Sequence, residues 1–172
     1  MAFIVSLFLP SFSGIGFGGF GGGSAPDGPG ERIAEMNRNH ISPNQEHAPY
    51  NSVPATSGWH YDPPLAPTTW GVHDEFVVDE IRLHNLEHGG VVVDYNCPDG
   101  CDELVQQLGA IVNTSIAGGL KVILSPYPDM PTRIALTAWT FIDAFEEFDE
   151  DRVKDFIRAH ESSPNAPEPN AR

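Results

Sequence analysis

The chain has 172 residues, with nine Lys and Arg against 24 Asp and Glu and a formal net charge of −15. This length is enough for one domain with its own core, so neither a metal nor a disulfide is needed merely to hold the fold together. The scarcity of cations argues against binding to nucleic acid or to an anionic membrane surface, both of which require clustered Lys and Arg. Cations are the expected partners of such an acidic surface.

The first 30 residues form an arm whose composition differs from the rest. They hold nine of the 17 Gly and five of the ten Phe, no Lys or Arg, and a single acid, Asp27. The run Met1–Leu9 lacks the basic residues of a secretory signal, and it falls well short of the roughly 20 apolar residues of a membrane span. Its β-branched and aromatic content favours a strand, followed by a flexible apolar tether over Ser11–Gly23.

We expect this arm to mediate self-association. Residues Met1 to Phe20 would form a homo-oligomer by adding a strand to the sheet, or by filling a groove, of a neighbouring subunit. A head-to-tail contact that does not close would give a filament. The alternatives are an arm that packs on its own domain and a remnant of a targeting segment, which would leave a monomeric exported domain.

The remaining chain divides into a linker, a domain and a tail. Residues 31–49 are polar and are predicted as a linker, and residues 50–160 as a metal-binding domain. Residues 161–172 have the composition of a disordered tail. Within the domain, Tyr50–Val78 carries four Pro together with several aromatic residues, which is typical of a long, ordered and functional loop.

The periodicity of apolar residues predicts the core of the domain. An amphipathic pattern indicates a helix over Asp102–Asn113, and Asp149 is a suitable N-cap for a last helix. β-Branched and alternating runs indicate three strands, over Gly90–Tyr95, Lys121–Ser125 and Arg133–Thr140. The order β-α-β-β-α predicts an α+β fold in which a small mixed sheet is covered by two helices.

The densest group of chemically active residues is the run His84-Asn85-Leu86-Glu87-His88-Gly89-Gly90. On a helical turn His84 and His88 project from one face and can bind one ion, whereas on a strand they lie roughly 13 Å apart. The run therefore predicts a metal site only if it is helical, and Gly89 is a plausible helix stop. The alternative is that both imidazoles only make hydrogen bonds within the loop.

We predict a four-ligand metal site, with Glu87 as a carboxylate that orients one imidazole and His73 as a substitute ligand. Imidazoles suit copper or zinc, and a thioether favours copper, above all Cu(I). Met130 is the candidate thioether, since it lies in a polar loop with little reason to pack. The predicted ligands are His60, His84, His88 and Met130.

The same run has a second interpretation. His84-x-x-Glu87-His88 has the spelling of an inverted zinc protease motif, in which two histidines bind zinc and the glutamate activates water. That chemistry requires a long active-site helix, and Gly89 and Gly90 end any helix here. A zinc-dependent hydrolase is thus the alternative to a non-enzymatic copper protein, for which no catalytic residue is predicted.

Cys97 and Cys101 enclose a Pro-Asp-Gly turn. In an exported protein this spacing favours a local disulfide between strand and helix. A metal clip or a redox pair stays open as an alternative, although the usual redox spacing is shorter.

Several of these runs resemble a known family. Ser57-Gly58-Trp59-His60-Tyr61, Trp70-Gly71-Val72, His84-x-Leu86-Glu87-His88-Gly89 and Thr137-Ala138-Trp139 are similar to the bacterial domain of unknown function family 3105 over roughly Val53–Phe156. Trp59 stands where Pro is usual, and His73 where Tyr is usual. The resemblance implies a shared fold and histidine site but no reaction. Because members commonly resemble exported or membrane-anchored proteins, it also implies an extracellular or cell-surface location.

Overall fold

The computed structural model describes residues 28–171, so the predicted strand and tether of the arm lie outside the described residues. The described part contains three helices: α1 (Asp79–Glu87), α2 (Asp102–Ala117) and α3 (Glu150–His160). It also contains eight strands: β1 (Glu31–Arg32), β2 (His40–Ile41), β3 (His60–Tyr61), β4 (Gly71–Val72), β5 (Val91–Tyr95), β6 (Val122–Pro126), β7 (Ile134–Ala138) and β8 (Phe141–Phe145).

Six strands form one mixed sheet in the order β1-β8-β7-β5-β6-β4. β6 pairs in parallel with β4 and β5, and the pairs β5–β7, β7–β8 and β1–β8 are antiparallel. The parallel β5–β6 pair needs a crossover connection, and α2 supplies it. β2 and β3 form a separate two-stranded parallel sheet.

The sheet is buried on both faces, which explains the uninterrupted apolar run of β5. Val91 and Val93 pack in the larger core cluster, which includes apolar residues of α2 and α3. Val92 points to the other face, where it packs in a smaller cluster with Leu83 and Leu86 of α1. Two helices therefore cover one face, and α1 with its neighbouring loops covers the other.

The predicted α+β class and mixed sheet are confirmed, with one helix and several strands more than predicted. β8 was not predicted because no Gly or Asn marks the turn before it. Thr140 takes the positive φ of 63° that this turn requires.

The two predicted helices are present. α2 runs one turn beyond the predicted helix. Asp149 caps α3 as expected, by accepting a hydrogen bond from the Arg152 backbone N–H at 3.0 Å.

The segments predicted as linker and tail pack against the domain. Residues 31–49 supply β1 and β2, and β1 is an edge strand of the main sheet. In the tail, the backbone N–H of Glu168 donates to the Glu87 carbonyl at 2.9 Å, and Ala166 is buried in the smaller cluster. Lys121 Nζ donates to the carbonyls of His88 and Pro169, which fastens the tail beside the end of α1.

The predicted disulfide between Cys97 and Cys101 is confirmed, and it closes the turn between β5 and α2. Within residues 28–171 no helix has both the length and the apolar character to span a membrane.

Candidate metal centre

Three imidazoles converge beside the small β2–β3 sheet. His40, His60 and His84 each offer a ring nitrogen, and these three nitrogens lie within 4.8 Å of one another. The ring centroids are 4.6 Å apart for His40 and His60, and 5.2 Å apart for each of the other two pairs. His60 is fully buried and His84 is 4% exposed, whereas the His40 side chain is 40% exposed.

Each imidazole of this cluster is oriented through its Nδ1 atom. Nδ1 of His60 lies 2.8 Å from the Gly58 carbonyl, and Nδ1 of His84 lies 2.7 Å from the Tyr61 carbonyl. Nδ1 of His40 lies 2.8 Å from a carboxylate oxygen of Asp62. Because an oxygen acceptor at Nδ1 holds the proton there, Nε2 of each ring becomes the nitrogen available to a ligand.

Glu87 adds a carboxylate to the three histidines. Its Oε2 lies 2.9 Å from Nε2 of His60 and 3.7 Å from Nε2 of His40. The predicted contact between Glu87 and an imidazole is thus present, on His60. Its side chain is 9% exposed, so it can approach a bound ion as a fourth donor as well as orient a ring.

Burial, hydrogen bonds and neighbouring charges shift three pKa values in the cluster. Burial lowers the pKa of His84. Burial would also lower the pKa of His60, but its hydrogen bonds to Glu87 and to the Gly58 carbonyl outweigh that effect, and the pKa lies above its ordinary value. Burial would raise the pKa of Glu87, yet the hydrogen bond and charge of His60 bring it below its ordinary value. Both shifts favour the charged forms, so without metal the contact favours a buried ion pair of protonated His60 with ionised Glu87.

Local structure explains how the ligands meet. His40 and His60 are register partners in the parallel pairing of β2 with β3. α1 presents His84 and Glu87, which are three residues apart and so share one face of the helix. α1 ends at Glu87, and Gly89 follows with a φ of +78°, which confirms the predicted helix stop. A Cβ at Gly90 would lie 2.4 Å from the Trp70 ring, so only glycine permits this exit from the helix.

The cluster includes two of the four predicted ligands, His60 and His84. The ring of His88 lies 4.6 Å from that of His84 but outside the converging group, with Nε2 3.6 Å from a Glu168 oxygen and Nδ1 buried without a partner among the described residues. His73 also lies outside the group, and its Nε2 bonds to the Thr69 carbonyl at 2.8 Å.

Met130 is elsewhere in the structure. It is 3% exposed and lines a cavity of about 310 Å³ together with Cys97 and Cys101. The expectation that this residue lacks a packing role is therefore wrong. The Pro126–Pro131 turn folds inwards, and Asn96 Nδ2 donates to the Met130 carbonyl at 2.7 Å.

Sequence reasoning missed His40, which lies in the segment interpreted as a linker. No motif surrounds it, and its only local signal is Ile41, the one aliphatic residue within 37–47 and a buried one. A single apolar residue beside a histidine does not predict a two-residue strand.

The fold and the cluster together define an α+β protein with a partly buried three-histidine cluster. The chain matches the family described as "Protein of unknown function (DUF3105)" over residues 40–172, more than three quarters of its length, and it belongs to that family. The resemblance seen in the sequence is thereby confirmed, and the matched range includes all three histidines and Glu87. No curated protein and no solved structure matches the chain.

Proposed function

We propose that the protein is a non-enzymatic binding protein for a transition metal, which is held by His40, His60 and His84 with Glu87 as the fourth donor. The observation that carries this proposal is the shared orientation of the three rings. Each Nδ1 lies against an oxygen, and each residue offers one ring nitrogen within 4.8 Å of the other two. Nε2 of His60 and Nε2 of His40 also lie 2.9 and 3.7 Å from the Glu87 carboxylate. This is the arrangement in which proteins fix metal-binding imidazoles.

The proton balance of His60 supports the same proposal. Its Nδ1 faces a carbonyl and its Nε2 faces a carboxylate, so both nitrogens need a proton to make hydrogen bonds. A metal ion can replace the proton on Nε2 and be held by the same carboxylate. In the metal-free protein, the proton shared by His60 and Glu87 would then lie where the metal ion lies in the metal-bound protein.

The donor set favours a divalent ion. Three imidazoles and a carboxylate suit Cu²⁺ or Zn²⁺, and such sites bind Cu²⁺ most tightly among divalent first-row metals. The argument for Cu(I) depended on a thioether, and Met130 lies at another cavity. Copper in the divalent state is therefore the proposed metal, with zinc as the alternative.

The hydrolase alternative has less support than metal binding without turnover. It requires His84 and His88 as joint ligands and Glu87 free to activate water. His88 lies outside the converging nitrogens, and Glu87 is bound to His60.

We further propose an extracellular or cell-surface location. The disulfide of Cys97 and Cys101 supports it, because disulfides persist in oxidising compartments. Detection of the protein by antibody in the culture medium or on the surface of intact cells would support this location, and detection only after the cells are lysed would reject it.

Self-association through residues Met1 to Phe20 is a second proposal, supported by the two edges of the main sheet. The arm leads directly into β1 at one edge, and β4 forms the opposite edge. Three partly exposed apolar residues, Val72, Phe76 and Val78, lie in or just after β4. A strand Met1–Leu9 added to β4 of the next copy would give a contact that does not close. Electron microscopy of the full chain should show filaments, and uniform monomers would reject the proposal.

Titration calorimetry of the full chain with Cu²⁺ and with Zn²⁺ tests the metal site. We expect one ion per chain, with copper bound more tightly, and electron paramagnetic resonance should show nitrogen ligands on Cu²⁺. His60→Ala and His84→Ala should abolish this binding, whereas the matched variant His73→Ala should retain it. Equal binding by all three variants would reject the proposed centre.

A further inference from the structure

Three sulfur atoms of the domain belong to one cavity. The described residues contain four sulfurs, on Met36, Met130, Cys97 and Cys101. All of these residues except Met36 line the cavity of about 310 Å³ beyond the end of β5, and no residue of the histidine cluster lines it. The sequence indicated Met130 as a soft metal ligand and the two cysteines as a metal clip or a redox pair. The fold therefore brings together two features that the histidine cluster does not use.

Hydrogen bonds hold the turn that carries Met130 against the turn that carries the cysteines. The backbone N–H of Asn96 donates to the Arg133 carbonyl at 2.9 Å. The Nδ2 atom of the same Asn96 donates to the Met130 carbonyl at 2.7 Å. Because Asn96 directly precedes Cys97, these two bonds fix the positions of the two turns relative to each other.

Met130 is buried without belonging to the hydrophobic core. It is 3% exposed, yet it lies in neither of the two core clusters. Cys97 and Cys101 are half-buried and pack at the border of the larger cluster. The three side chains thus meet at the cavity between the two turns, where their sulfur atoms are the soft donors.

The surroundings of the cavity favour thiolates and a cation. Cys101 is the N-cap of α2, a helix of 16 residues, and the positive end of a helix dipole stabilises an anion such as a thiolate. The charged residues that line the cavity are Asp99, Glu146 and Arg133. Since the acids outnumber the cation, this lining attracts positive ions.

The oxidation state of the cysteines decides which metal can bind. Two thiolates and one thioether form a soft donor set, which selects Cu(I). In the disulfide neither Sγ atom carries a negative charge, so only the neutral thioether remains as a donor. Titrations of the disulfide form with Cu²⁺ and Zn²⁺ therefore report on the histidine cluster, and Met130 contributes to binding only after the disulfide opens.

We propose that Cys97, Cys101 and Met130 form a second metal site, for Cu(I), which opens when the disulfide is reduced by a dithiol. The Sγ–Sγ bond of the protein breaks and takes up two electrons, while a disulfide forms in the reductant and its two protons pass to the cysteines. Both cysteines then bind Cu(I) as thiolates, and each releases its proton. This site goes beyond the proposed function, since it uses no residue of the histidine cluster.

Titration of the full chain with Cu(I), against a chelator whose colour reports free Cu(I), tests this site. The chain is first reduced with dithiothreitol, which is then removed in the absence of oxygen. The reduced chain should bind one Cu(I) more than the disulfide form. His84→Ala, in which the histidine cluster is broken, should keep this additional ion, and X-ray absorption at the copper edge should show sulfur neighbours.

Met130→Leu keeps both cysteines and tests the thioether. Its affinity for the additional Cu(I) should fall by at least about tenfold, because losing even an outer partner of a metal ligand costs about 10- to 100-fold. Met36→Leu is the matched control, since Met36 lies outside the cavity, and its affinity should not change. Equal Cu(I) affinity in these two variants would overturn the three-sulfur site.

Circular dichroism of the reduced chain, recorded before metal is added, checks the fold. The spectrum should match that of the disulfide form, because a chain of this length does not need a disulfide to fold. Loss of the folded spectrum on reduction would overturn the inference, as would a folded reduced chain that binds no additional Cu(I). A disulfide form that binds neither Cu²⁺ nor Zn²⁺ would instead reject the histidine centre, while an additional Cu(I) bound on reduction would still support this site.

Discussion

His40 and His60 are direct register partners in a two-stranded parallel sheet. The pairing joins a residue of the predicted linker to a fully buried residue of the long loop, 20 positions further along the chain. Parallel partners point to the same side of a sheet, so both imidazoles reach the space beside α1. The short pairing of β2 with β3 therefore brings His40 to His60 in the candidate metal centre.

The first prediction concerns His40, the more exposed of these two histidines. Asp62 accepts the Nδ1 proton of His40, and its side chain is 63% exposed, so Asp62→Ala should not destabilise the fold. Copper affinity should fall about 10- to 100-fold, the usual effect of losing such a partner. Competition titration with a chelator measures the affinity. Asp74→Ala, also at an exposed acid, is the control, and the same loss in both variants would contradict the assignment.

The ion pair of His60 and Glu87 predicts a window of pH in which it stabilises the metal-free protein. The raised pKa of His60 gives stability that is present below its ordinary 6.5 and is lost as pH rises through the folded value. The lowered pKa of Glu87 gives stability that is present above its ordinary 4.5 and is lost as pH falls through the folded value. Both contributions are complete only between these two pH values.

Glu87→Gln tests this window. The difference in melting temperature between the parent chain and the variant, measured with chelator present, should be largest between pH 4.5 and 6.5 and should shrink above and below. A difference that stays the same below pH 4.5 and above pH 6.5 would contradict the ion pair. Metal affinity should rise with pH beyond 6.5 as well, because the raised pKa of His60 lets protons compete there.

A buried ion pair beneath α1 gives the third prediction. Arg82 and Asp94 are both fully buried and bonded to each other, and burial is the main cause that raises the pKa of Asp94 to about 6. Arg82→Met leaves Asp94 without a partner and should cost about 3–5 kcal/mol in unfolding free energy, measured in urea. Arg152→Met removes a more exposed pair with Asp143 and should cost less than about 1 kcal/mol. A similar loss of unfolding free energy in both variants would contradict the larger role assigned to the buried pair.

Met130 gives the fourth prediction. Since it packs at the disulfide cavity, Met130→Leu should leave copper and zinc affinity unchanged and cost less than about 1.5 kcal/mol in stability. His84→Ala should show the converse, a loss of metal binding. Loss of copper binding in Met130→Leu with its disulfide closed would contradict this prediction and indicate that the Met130 thioether is a copper ligand in that form. Calorimetric titration of both variants under identical conditions decides the point.

The local pattern of the sequence determined the α+β class, the main strands, α2 and α3, the cap at Asp149, the Cys97–Cys101 disulfide and the family. These features depend on neighbours in the chain, where periodicity, turns and short spacings can be seen directly. It also offered Gly89 as a helix stop and made a site at His84 depend on a helical turn there, because a helix face and its stop are local features; that the segment is helical was not predicted.

Only the tertiary structure decided which histidines meet. His40 joins the cluster and His88 and Met130 lie outside it, because the pairing of β2 with β3 depends on contacts between distant segments that leave no periodic signal. The tail packs on α1 for the same reason, through Lys121 and the backbone of Glu168 rather than through apolar side chains alone. A set of ligands drawn from three separate segments is a property of the folded chain.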